Sequence, residues 1–145
     1  MFTKILFPTD FSETSWKAMD YIKQMKQNGL NEVIVLHVTD GDTLEKIEHL
    51  ISSERVQQIR SKICQETRDA LQATQKDLQA GGFNVKVVTR SGHPAQEILK
   101  LEEEEDVSGV VMGSHDLRGL EKMFVSSVSE TVVHKSKRPV VIVKH

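Results

Sequence analysis

The sequence predicts an α/β domain with three layers, in which a five-stranded parallel sheet is doubly wound, with helices on both faces. Three observations carry this expectation. Short, continuous runs of β-branched and other apolar residues recur along the chain, as strands buried on both faces require. Segments with helical periodicity alternate with those runs, giving the order βαβαβαβαβ. The chain has 145 residues, the size of one domain able to bury its own core without disulfides or metals, so 1–145 is expected to be a single unit.

Ile5 to Phe7 is the first such run and ends at Pro8. Asp10 or Ser12 can then cap a helix, with Glu13 three residues beyond Asp10 in capping-box position and Trp16, Met19, Ile22 and Met25 as its apolar stripe. Gly29 stops this helix. Val33 to Val38 is the second strand, ending in the polar turn Thr39 to Asp42. From Thr43 to Ala80 the spacing of Val56, Ile59, Ile63, Leu71 and Leu78 predicts a short helix, a break near Ser52 and Ser53, and a helix running to Gly81.

Val85 to Val88 reads as strand three, and Gly92, His93 and Pro94 as a tight turn with proline at the first helical position. Ile98 and Leu101 supply that helix's inner face, and the acidic run Glu102 to Asp106 closes it as a solvated end, slightly opposed by the helix dipole. Val110 to Met112 is strand four. A loop from Gly113 to Val125, a helix from about Ser127 to Lys135, and a last strand, Val140 to Val143, complete the chain.

Composition removes several functions. A net charge of −2, with 28% charged residues, gives no polyanion-binding surface, so nucleic acid is not an expected partner. The apolar start is too short for a signal segment or a membrane span. One cysteine, Cys64, can form no internal disulfide and no CxxC pair, which fits a cytoplasmic location. There is no Walker sequence, no GxGxxG after the first strand and no GxSxG, so the familiar nucleotide-hydrolase, dehydrogenase and α/β-hydrolase constellations are missing. The six histidines, among them His37, His93, His115, His134 and His145, are scattered, without metal-ligand spacing. His37 is expected to be a satisfied residue within strand two. An aspartyl phosphoacceptor centred on Asp10 lacks its companion residues, since strand three ends in Thr89 and Arg90.

In doubly wound sheets, ligands bind beyond the carboxyl ends of the strands, where the strand order reverses. The candidate segments are Pro8 to Asp10, Val38 to Asp40, and Gly113 to Ser129. In the last, a glycine turn after a strand leads to Ser126, Ser127 and Ser129 at an expected helix start, where free N–H groups and hydroxyls attract an anion. Serine there serves equally as a plain N-cap. Arg118, Lys122 and His115 lie in reach of such an anion or are simply solvated.

KILFPTDFSE at Lys4 to Glu13 closely resembles the opening of universal stress proteins, and the resemblance runs along the whole chain. LHV at Leu36 to Val38, GHP at Gly92 to Pro94, VVMGSH at Val110 to His115, SSVSE at Ser126 to Glu130 and RPVVIVK at Arg138 to Lys144 all fall where that family has similar segments. The resemblance implies a Rossmann-like, adenine nucleotide alpha hydrolase-like fold and a homodimer paired through Val140 to Val143. It implies a site for ATP or AMP, with Mg²⁺ as an accompanying ion. Asp10 and Val38 would contact the adenosine, Pro8 would shape the wall, Met112 and Gly113 would line the floor, and Ser126, Ser127, Val128 and Ser129 would meet the phosphates.

Nucleotide-binding members carry G, two residues, G, nine residues, G, then Ser or Thr. Here Gly113 and Ser127 match, while Asp116 and Ser126 stand at the second and third glycines. A carboxylate about 5 Å from a phosphate charge costs roughly 3 kcal/mol at an effective dielectric near 20. Two functions follow as expectations: a nucleotide-binding stress-response switch with at most slow ATP hydrolysis, or a nucleotide-free dimeric module that engages a protein partner.

Overall fold

The computed structural model describes residues 2–40, 53–114 and 122–144. Strands β1 (Lys4–Pro8), β2 (Glu32–Asp40), β3 (Asn84–Gly92), β4 (Gly109–Gly113) and β5 (Val140–Val143) form one sheet in the order β3-β2-β1-β4-β5. Every pairing is parallel. Helices α1 (Glu13–Met25), α2 (Ser53–Ala80), α3 (Pro94–Glu104) and α4 (Lys122–Lys135) connect them, with a 3₁₀ turn at Lys26–Asn28 after α1. The predicted three-layer, five-stranded, doubly wound fold is the observed one.

The period of two along each strand sorts the core into two clusters, one per face of the sheet. Ile5, Phe7, Val33, Val35 and Val111 meet Ala18, Met19 and Ile22 of α1 and Leu71 and Leu78 of α2. On the opposite face, Leu6, Ile34, Leu36, Val110 and Met112 meet Ile98 and Leu101 of α3 and Val132 of α4. β1 and β4, central and covered on both sides, are buried almost throughout, which is why their sequences lack polar alternation. Two residues expected on inner helix faces are turned out: Trp16 is 40% exposed and Ile63 38%.

Several boundaries differ from expectation. β2 runs on through Thr39 and Asp40, because Asp40 still pairs in register with Gly92 of a β3 longer than the predicted Val85 to Val88. The expected short helix after Thr43 and the break at Ser52 lie outside the described residues, apart from α2 beginning at Ser53. α4 begins at Lys122, not near Ser127, so Ser126 and Ser127 fall in its second turn instead of at its open N-terminus. The backbone donors of a helix start therefore belong to earlier residues.

The acidic run is exposed at Glu103, Glu104 and Asp106, as expected of a solvated end, but it is also paired, and Glu102 is buried. α3 returns antiparallel to the strands, so its last turn meets basic residues of β1, β3 and the β5 entry. Glu103 pairs with Lys137 at 3.5 Å, Glu104 with Arg90 at 2.6 Å, and Asp106 with Arg138 at 3.0 Å. Glu105 takes Lys86 and, at 3.6 Å, Lys4. The hydrogen bond from Arg90 holds Glu104 below the ordinary carboxylate range, and that from Lys86 does the same for Glu105. Glu102 is buried at 2% exposure and accepts the Ser136 hydroxyl at 2.7 Å, tying α3 to the turn before β5.

Candidate ligand crevice at the sheet switch point

From β1 the chain winds outward through β2 to β3, and from β4 it winds the other way to β5. The connections leaving the carboxyl ends of the paired strands β1 and β4 therefore run in opposite directions, and the rule for doubly wound sheets puts the candidate crevice between the segments that follow Pro8 and Gly113. The segment after β1 is held tightly. Thr9 N–H donates to Leu36 O at 2.9 Å, carrying the sheet one residue further. Phe11 N–H donates to Thr9 Oγ1 at 3.1 Å, and Phe11 itself adopts φ 63°, a left-handed conformation that bulky side chains rarely take. Its ring stacks on His37 with centroids 4.9 Å apart. His37 Nδ1 lies 3.0 Å from Thr9 O, an acceptor, so this nitrogen carries the proton. His37 is thus hydrogen-bonded, as the sequence suggested.

Ser12 caps α1 by accepting the Ser15 N–H at 3.3 Å. Asp10 is therefore not the cap; it braces the cap. Its Oδ1 accepts Ser12 N–H at 3.0 Å and the Ser15 hydroxyl at 2.8 Å, while its side chain stays exposed at the crevice edge. The other side of the crevice meets the same helical turn. A Cβ on Gly113 would lie 2.5 Å from Thr14 C, 2.6 Å from Thr14 O and 2.7 Å from Ser15 N. Only glycine lets the end of β4 press this closely against the backbone of α1.

The structure brings several sequence-chosen residues together. Val38, Met112 and Val128 belong to one apolar cluster: Met112 is buried, and Val38 and Val128 are half-buried. Pro8 is buried at the end of β1, and Ser129 is buried on α4. The backbones of Ser126 and Ser127 lie in α4, whereas His115, Asp116 and Arg118 fall outside the described residues. Sequence reasoning missed Ser15 and Phe11, and it named Thr9 only as part of the Pro8 to Asp10 segment. A hydroxyl five residues after Asp10 was the available signal for Ser15; the strained Phe11 left none. Among the described residues no cluster of His, Cys, Asp or Glu is arranged to hold a metal, and no described helix is long and apolar enough to cross a membrane.

A five-stranded parallel sheet wound in both directions from β1 and β4 defines the class of doubly wound α/β proteins. Within that class, the family model described as the universal stress protein family matches residues 1–144, and the chain belongs to this family. Universal stress protein MJ0577 of Methanocaldococcus jannaschii is 36% identical, over 99% of this chain and 96% of its own length. Its solved structure superposes with a TM-score of 0.82, covering 100% of this chain and 97% of that one. Universal stress protein YxiE of Bacillus subtilis is 30% identical over 99% of this chain and 100% of its own length. More distant chains share the fold: a universal stress protein in complex with cAMP (19% identical, TM-score 0.67), and one from Archaeoglobus fulgidus in complex with dAMP (17% identical, TM-score 0.65).

Proposed function

We propose that this chain binds an adenine nucleotide, ATP or AMP, in the β1/β4 crevice and acts in the cytoplasm as a nucleotide-responsive stress switch. The observation that carries the reading is the convergence of Asp10 and Gly113 on the first turn of α1, since the family resemblance gives both positions to the pocket. The described residues fit a nucleoside. Half-buried Val38, backed by the buried Met112, offers an apolar wall, and the braced Asp10 carboxylate is an acceptor for hydroxyl or amine protons. Two distant relatives are themselves in complex with adenine nucleotides, cAMP and dAMP, which supports this choice of ligand class.

Pro8 would shape the wall and Gly113 the floor, with Ser126, Ser127, Val128 and Ser129 toward the phosphates. A bound nucleotide would supply a charged, phosphate-bearing surface at the top of the sheet. Binding, with at most slow hydrolysis, needs fewer residues in special roles than turnover does.

A homodimer through β5 is part of the proposal, over a domain taken as 1–145. The two sheet edges differ in kind. β3 carries Lys86 and Arg90, engaged by Glu105 just after α3 and by Glu104 at its end, whereas β5 is Val-Val-Ile-Val and only half-buried. An apolar edge without charges invites strand pairing, and charged edges discourage it.

The second reading, a nucleotide-free dimeric module with a protein partner, is favoured by Asp116 and Ser126 at the two glycine positions. Calorimetric titration with ATP, ADP and AMP, with and without Mg²⁺, separates the two. Micromolar binding of ATP or AMP supports the switch and reads out the part played by Mg²⁺; no heat with any nucleotide overturns it in favour of the module.

A further inference from the structure

We propose that Ser15 is a positioning residue of the crevice, whose hydroxyl fixes the orientation of the Asp10 carboxylate relative to the end of β4; this rests on the nucleotide reading above. Ser15 is the third residue of α1 and is 4% exposed. Capping does not require its hydroxyl, because its N–H already donates to Ser12 Oγ at 3.3 Å. The hydroxyl instead donates to Asp10 Oδ1 at 2.8 Å, and Ser12 N–H reaches the same oxygen at 3.0 Å. Ser12 Oγ in turn lies 3.3 Å from Ser15 Oγ as its donor, so the hydroxyls form a chain ending on the carboxylate. In such a chain each bond polarises the next.

Two donors on one carboxylate oxygen restrict rotation of the Asp10 side chain. A carboxylate on an exposed loop would otherwise lose that freedom on binding, and restricting it beforehand raises affinity. The same residue also reaches the opposite wall, since its backbone nitrogen is 2.7 Å from the point where a Gly113 Cβ would sit. Ser15 therefore relates the β1 side of the crevice to the β4 side through one side chain and its own backbone.

The test is a double-mutant cycle read by calorimetry with AMP and with ATP, using the wild type, Ser15→Ala, Asp10→Ala and the double variant, each checked by thermal melting. The expected result is that Ser15→Ala weakens both nucleotides by the same factor, about tenfold for loss of one hydrogen bond to a charged group. In the Asp10→Ala background the same change has no further effect, and Ser15→Thr, which keeps the hydroxyl, binds as the wild type does. Unchanged affinity in Ser15→Ala or in Asp10→Ala overturns the proposal. So does an equal loss with and without Asp10, which would make Ser15 a brace for the helix alone. A wild type that binds neither nucleotide overturns the crevice reading itself, and this inference with it.

Discussion

Replacing Gly113 with alanine tests the close seating of β4 on α1. The added Cβ would meet Thr14 C at 2.5 Å, Thr14 O at 2.6 Å and Ser15 N at 2.7 Å. Relief to an ordinary contact needs a movement of about 1 Å, and no rotamer change supplies it because all three atoms are backbone. Overpacking costs about 1–3 kcal/mol, and an unyielding backbone places this site near 3 kcal/mol. At about 2–4 °C per kcal/mol for a domain of this size, the melting temperature falls by roughly 6–12 °C. Urea unfolding followed by circular dichroism gives the free energy, and thermal melting gives the shift. Gly81→Ala is the control, its Cβ meeting nothing nearer than Leu78 O at 3.3 Å. A Gly113→Ala protein within about 0.5 kcal/mol of the wild type would refute the claim that the first turn of α1 bears on the end of β4.

Asp116→Gly combined with Ser126→Gly is expected to tighten ATP binding by up to about a hundredfold, from the roughly 3 kcal/mol repulsion removed, and AMP binding by less; unchanged affinities by calorimetry would exclude that repulsion. Glu104 and Glu105 have folded-state pKa values lowered by Arg90 and Lys86, so their contribution to stability is present above the ordinary carboxylate range and is lost as pH falls through the lowered values. Urea midpoints should therefore drop on acidification, less steeply in Glu105→Gln, and parallel pH profiles would contradict this. Ser136→Ala removes the hydroxyl 2.7 Å from the buried Glu102 and should cost about 1–3 kcal/mol in urea unfolding, with a neutral result showing that the carboxylate is satisfied otherwise. Val141→Lys at the β5 edge should yield monomers in light scattering while the circular dichroism spectrum is kept; an unchanged dimer would place the interface elsewhere.

Local patterns made the architecture legible. Ile5 to Phe7 and Val110 to Met112 read as buried strands because both faces of a central parallel strand are covered, and the order of elements then dictated the double winding. Gly29, at φ 100° after the 3₁₀ turn, and Pro94 at the start of α3 ended and began elements as their backbone preferences require. What stayed hidden depends on partners distant in sequence. The pairing of the acidic run was hidden because Lys4, Lys86, Arg90 and Arg138 meet it only after the sheet assembles. β2 outlasted its apolar residues because β3 offered Thr39 and Asp40 a register to pair with. The start of α4 was placed too late because serines suggested a cap, whereas the helix had already begun at Lys122.

The candidate site divides the same way. Pro8, Asp10, Val38, Met112 and Gly113 were legible from the rule that strand ends at a switch point bind ligands, together with the family resemblance. The role of Asp10 as a brace for the Ser12 cap was not, because a capping box from Asp10 to Glu13 and a cap at Ser12 are both consistent with the same residues. Glycine at 113 suggested a turn, while the structure gives it a second task, admitting the backbone of Thr14 and Ser15.

The most direct measurement is amide chemical-shift mapping by NMR as AMP is titrated into the ¹⁵N-labelled protein. Saturable shifts concentrated at Thr9 to Ser15, Val38, Gly113 and Ser129 are expected if the crevice between β1 and β4 holds the nucleotide. Saturable shifts confined to other surfaces, such as the outer edge of β3, or no shifts at all, would contradict it.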